Sequence, residues 1–116
     1  MQSITSTEAS PNAPLSVDAL RERLRPFCLQ HPVERLEVFG SVARGEASTE
    51  SDVDLLVTFA PSARFGMFAF LRLKEELENL LGCSVDLLER PAVERSTNRF
   101  LKHFILRSAE TIYEGT

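Results

Sequence analysis

The chain has 116 residues, 43% of them apolar and 26% charged, which suits one soluble globular domain and is too short for two. Thirteen basic against seventeen acidic side chains leave a formal charge of −4, which argues against a general nucleic-acid binder working through backbone phosphates. There is no run of about 18 apolar residues and no charged start followed by an apolar stretch, so a cytoplasmic protein without membrane contact is expected. Cys28 and Cys83 stand far apart, in no CxxC or Cys/His cluster. They read as buried thiols in a reducing compartment rather than as a disulfide or a zinc site.

Residues 1–15, rich in Ser, Thr, Pro and Asn, read as a disordered tail, and residues 16–116 as a single domain. Ser16 can cap a helix whose apolar positions are Val17, Leu20, Leu24, Phe27 and Cys28. Pro26 falls inside that pattern and should kink or break it near Arg25, and His31-Pro32 should end it. "RLEVF" (35–39) and "DVDLLVTF" (52–59) read as two strands. Over 67–81, Phe70, Leu73, Leu77, Leu80 and Leu81 share one helical face, with Gly82 as the stop. "SVDLLE" (84–89) is a third strand, and about 94–110 a last helix with Phe100, Leu101, Phe104 and Ile105 inward. The order α-β-β-α-β-α describes a small α/β domain, a sheet covered by helices.

The second strand carries two aspartates where apolar residues would bury better. Side chains alternate on a strand, so Val53, Leu55, Val57 and Phe59 share one face and Asp52 and Asp54 the other, with Cα atoms about 6.6 Å apart. Bare, two converging carboxylates repel; Mg²⁺ relieves that conflict, because it takes one or two carboxylates together with water and substrate phosphates. An isolated Asp-x-Asp also reads as a solvated strand edge or a turn. Upstream, however, the first strand runs into Gly40-Ser41 and the short helix-capable "VARGE". Glycine permits close backbone approach, and Ser41 offers a hydroxyl where the N–H groups of a helix start can hold an anion. Asp86, between Val85 and Leu87, joins the other two if its strand pairs with the second, at about 4.8 Å. Three acidic side chains beside a phosphate site suit two-metal phosphoryl chemistry.

The run "GSVARGEASTESDVDLLV" resembles the signature of the minimal nucleotidyltransferases in the DNA polymerase β superfamily: Gly-Ser, ten residues (42–51), then Asp-x-Asp. Arg44-Gly45 and Ser51 match its usual wording, Asp86 falls where the family keeps a third carboxylate, and the likeness extends over roughly 17–114, including the closing "ETIYEG". The resemblance implies a polymerase β-like fold with a mixed sheet of three to four strands. It also implies transfer of AMP from ATP with Mg²⁺, two ions being expected. Gly40, Ser41 and Arg44 would bind the nucleotide phosphates. Asp52, Asp54 and Asp86 would be catalytic and hold metal, Asp86 also helping to activate the acceptor hydroxyl. Small members of this kind are similar to antitoxins that silence a partner HEPN-domain RNase toxin by adding AMP to a tyrosine. The chain differs from larger relatives in having no acceptor-binding domain, so acceptor recognition is expected from a partner surface.

Weaker signals remain open. Arg95, Arg99 and Lys102, at i, i+4 and i+7, form one face of the last helix, either solvated or reaching for a triphosphate or an acidic partner. Arg44 can pair with phosphate or with Glu46. His31 and His103 read as surface residues, and Phe65, Phe68 and Phe70 as core or interface. A binding antitoxin without turnover, or transfer to a small hydroxylated molecule such as an aminoglycoside, are the rival functions.

Overall fold

The computed structural model describes residues 15–47, 52–61 and 66–115. The expected tail up to residue 14, Ser51 and Phe65 lie outside these described residues. The elements run α1 (Val17–Gln30), β1 (Val33–Phe39), α2 (Gly40–Ala43), β2 (Val53–Phe59), α3 (Met67–Leu81), β3 (Val85–Glu89), α4 (Arg90–Glu94), α5 (Arg99–Ser108) and β4 (Glu110–Glu114). The strands form one mixed sheet in the order β3-β2-β1-β4. β1 is antiparallel to both β2 and β4, while β2 and β3 run parallel.

Alternation along the strands gives the sheet two different faces. Leu36 and Val38 of β1, Val53, Leu55 and Val57 of β2, and Val85 and Leu87 of β3 pack with Leu20, Leu24, Phe27 and Cys28 of α1 and Leu73, Leu77 and Leu81 of α3. Leu15 packs against this main core from outside α1. Each fully buried leucine or valine there contributes about 1.5–3 kcal/mol. The opposite face is smaller: Phe39 and Leu56 of the sheet meet Val93 of α4 and Ile105 of α5. Beside them Glu37, 2% exposed, is held by Arg90 Nη1 at 2.7 Å and by Arg35 Nη2 at 3.5 Å. That pair fastens the first residue of α4 to the sheet.

Several expectations change in the structure. Pro26 does not break α1, which is assigned as one helix through Gln30. The proline lies on the exposed side of α1, between the buried Leu24 and Phe27, and the apolar stripe on the other side holds the helix to the sheet. The single last helix is two, α4 and α5, because the Asn98 side chain accepts from Leu101 N–H at 3.1 Å and starts α5 afresh. Consequently Arg95, which ends α4, does not share a helix face with Arg99 and Lys102. On α5 only Ile105 is buried; Phe100, Leu101 and Phe104 are exposed instead of inward. The end of the chain adds the strand β4 that the element order lacked, its Ile112 buried in the main core. Leu80 and Phe68 are exposed, and Phe70 packs against the core edge. His31 is half-buried and bonded to Glu76 at 3.1 Å, whereas His103 is exposed. Both cysteines are free, and burial pushes the Cys28 thiol up to about 12.

Candidate active site

The site forms where β1 leaves the sheet. Phe39 is the register partner of Asp54, so the residue that follows, Gly40, lies beside the start of β2. On the other side of β2, Asp54 is the register partner of Asp86. The sheet therefore sets Gly40, Asp54 and Asp86 side by side, on the face opposite the main core. Asp52 stands exposed one residue before β2.

Gly40 adopts φ 74, in the left-handed region, and a Cβ on it would run into Asp54 Oδ2. Only glycine lets the chain turn here so close to the carboxylate. The α2 turn is then closed by a Schellman pattern: Gly45, at φ 72, donates to Val42 O at 3.1 Å, and Glu46 N–H to Ser41 O at 2.8 Å. This explains the local sequence: one glycine enters the turn and another leaves it.

Asp54 is the electrostatic centre. Partial burial, then a side-chain hydrogen bond with Asp86, then the negative charges of Asp86 and Asp52 lift its carboxyl to about 6, against the opposing pull of Arg44. Protonated, Asp54 donates to Asp86; ionised, it needs a cation. Among the described residues, no three His, Cys, Asp or Glu side chains are gathered closely enough to hold a metal ion. The acidic set is thus a tight pair, Asp54 with Asp86, and Asp52 within electrostatic reach. Two hard oxygen donors under mutual repulsion fit the needs of Mg²⁺, which takes its other ligands from water and phosphate. Arg44 resolves toward its local partner: its Nε donates to Glu46 Oε1 at 3.0 Å, and its guanidinium lies 5.4 Å from the Phe104 ring centroid. A separate groove of about 550 Å³, between α1 and β4 and lined in part by Arg21, Arg25 and Tyr113, contains none of these residues.

The pairing of a left-handed glycine turn with carboxylates on two adjacent strands has matches among known proteins. Residues 20–111 match the nucleotidyltransferase domain. The chain belongs to that family. A Methanocaldococcus jannaschii protein provisionally named a protein adenylyltransferase is 36% identical over 95 residues, covering 82% of this chain and 96% of its own. A solved minimal nucleotidyltransferase aligns with TM-score 0.62 and 38% identity over 83% of this chain and 95% of its own. A chain in the solved complex of the tri-AMPylated Shewanella oneidensis HEPN toxin with its MNT antitoxin shares the fold, at TM-score 0.58 and 16% identity, over 85% of this chain and 73% of its own. This nucleotidyltransferase keeps the four-stranded mixed sheet of those minimal structures. Among its described residues no helix is long and apolar enough to cross a membrane.

Proposed function

We propose that this nucleotidyltransferase moves AMP from ATP to a tyrosine hydroxyl of a HEPN-domain RNase toxin, and so acts as the toxin's antitoxin in the cytoplasm. Residues 16–116 act as one domain. The observation that carries this reading is the pairing of Asp54 with Asp86, in register across β2 and β3, against the left-handed Gly40. The name carried by the Methanocaldococcus jannaschii relative and the AMP-modified toxin of the Shewanella oneidensis complex support the acceptor class.

In the reaction the acceptor oxygen bonds to the α-phosphorus as the bond to the β-phosphate oxygen breaks, releasing pyrophosphate. The hydroxyl proton passes to Asp86, the more exposed carboxylate. Gly40 and Ser41 hold the triphosphate, with Arg44 turning from Glu46 to phosphate when nucleotide is present. Asp54 and Asp86, already paired, would hold Mg²⁺, and Asp52, which stands apart from them, would have to swing in to complete a two-ion site; when bound, the metal neutralises the phosphates and lowers the pKa of the attacking hydroxyl. Asp54 orients against Gly40, so its carboxylate is fixed relative to the phosphate turn.

The test uses labelled ATP and a purified HEPN-domain RNase. Label should enter the RNase with wild-type protein, and be lost with EDTA or with Asp54→Asn, since an amide binds Mg²⁺ poorly. Undiminished transfer by the variant would remove the assignment.

A further inference from the structure

Spacing along the sequence gives Ser108 no role, yet in the fold it meets the phosphate turn. It is the last residue of α5, 68 positions from Gly40, and its Oγ accepts a hydrogen bond from the Gly40 backbone N–H at 3.3 Å. The same hydroxyl donates back into its own helix, toward the carbonyls of Phe104 at 3.1 Å and Ile105 at 3.3 Å. A hydroxyl has one proton and two acceptor positions, so both roles are filled together. Gly40 is buried, and its N–H has this oxygen as partner. A second touch comes one helical turn earlier, where Phe104 lies under the Arg44 guanidinium. The end of α5 is therefore the wall on which the Gly40–Ala43 turn rests.

We propose that Ser108 is a positioning residue for nucleotidyl transfer. By fixing the Gly40 peptide it sets where Ser41 stands relative to Asp54. This rests on the reading that Gly40-Ser41 and Asp54 handle the nucleotide. The physical reason is the freedom of glycine: a residue at φ 74 without Cβ has wide alternatives, and here it lies directly against the Asp54 carboxylate. Without an acceptor from α5, the buried N–H is left unpaired and the turn rotates toward water. A displacement of about 1 Å at a reacting group can cost on the order of 100-fold in rate.

The experiment compares wild type with Ser108→Ala, Ser108→Cys and Ser108→Thr. Selective ¹⁵N-glycine labelling follows exchange of the Gly40 amide, and AMP transfer to a HEPN-domain RNase gives kcat and KM for ATP. Alanine removes the acceptor, cysteine keeps the shape with a weak one, and threonine keeps the hydroxyl with its bond to the preceding turn. Gly40 exchange should speed up about tenfold in the alanine and cysteine proteins, and kcat should fall roughly 10- to 100-fold with KM for ATP within about threefold. Threonine should restore both. Equal Gly40 protection in Ser108→Ala, a kcat within about twofold of wild type, or failure of threonine to rescue would overturn the proposal. A wild type that transfers no AMP would instead overturn the functional reading, and Gly40 exchange would still decide whether the tether exists.

Discussion

Two glycines of the α2 turn separate conformation from chemistry. Gly40 and Gly45 share nearly the same left-handed backbone, at φ 74 and 72, but only Gly40 has a carboxylate where a Cβ would go. Alanine at either position should destabilise by about 1–2 kcal/mol through the left-handed strain. Gly45→Ala should keep most of its transfer activity, whereas Gly40→Ala should lose it by displacing Asp54. Urea unfolding paired with the labelled-ATP assay separates the two effects; equal activity losses would show that strain in the turn, not the approach to Asp54, is what matters. Ser41→Ala should weaken ATP binding by one charge-assisted hydrogen bond, about 1.5–3 kcal/mol by calorimetry with ATP and Mg²⁺. Identical affinities would reduce Gly40-Ser41 to a plain turn. At this scale much of the site was legible in the sequence. Gly40, Ser41, Asp52 and Asp54 lie within one β-turn-β stretch, so their nearness follows from spacing, and Asp86 needed only a parallel neighbour strand to come beside Asp54, while Asp52 stays just outside that pair. Ser108 was not legible, because its bond to Gly40 joins residues that only the fold brings together.

Elements were legible where burial and period agree, and not where a cap or an exposed face decides. The α1 and α3 stripes bury at Leu20, Leu24, Phe27 and Cys28 and at Leu73, Leu77 and Leu81, as their spacing suggests, whereas Leu80, counted in the same α3 stripe, is exposed with Met67, Phe68 and Leu71. The α4–α5 region misled because Phe100, Leu101, Phe104 and Ile105 look like one inward stripe, while the residues this region turns to the sheet are Val93 and Ile105, with Leu106 and Ala109 packed partly against them. The signal that could have separated the helices is Asn98, a residue that competes for backbone hydrogen bonds and so favours caps over helix interiors. Asn98→Ala should cost about 1 kcal/mol of stability, read as a lower denaturation midpoint with an unchanged slope. The same loss is expected for Ser16→Ala, whose Oγ accepts from Ala19 N–H at 3.1 Å. No change in either midpoint would mean that packing alone sets these helix starts. Because α5 also carries Ser108, fraying it at Asn98 should leave the Gly40 tether intact, since the bond lies at the opposite end of the helix.

At the scale of the whole molecule the question is whether the protein modifies the toxin partner proposed for it or only covers it. Both readings use the same fold, but they differ in what survives separation. A toxin modified by AMP carries a phosphodiester that outlasts dissociation, so it should stay inactive after the antitoxin is stripped away in denaturant and the toxin refolded. It should also gain mass in steps of one adenylate, and only when ATP is supplied. Simple coverage predicts inhibition that follows occupancy, needs no ATP and vanishes on separation. The Asp54→Asn protein sharpens the comparison, because Asp54 lies on the face opposite the main core and its loss should spare the fold while removing a carboxylate from the pair. It should bind the toxin, protect it only while bound, and leave its mass unchanged. Pure coverage has no need of a carboxyl lifted to about 6 by burial, by its hydrogen bond with Asp86 and by the charges of Asp86 and Asp52, an arrangement that costs stability unless a cation relieves it. We therefore expect lasting inactivation with wild type and reversible protection with the variant. Reversible protection by both, with no adenylate on the toxin, would sink the catalytic reading and leave a binding antitoxin built on a nucleotidyltransferase fold.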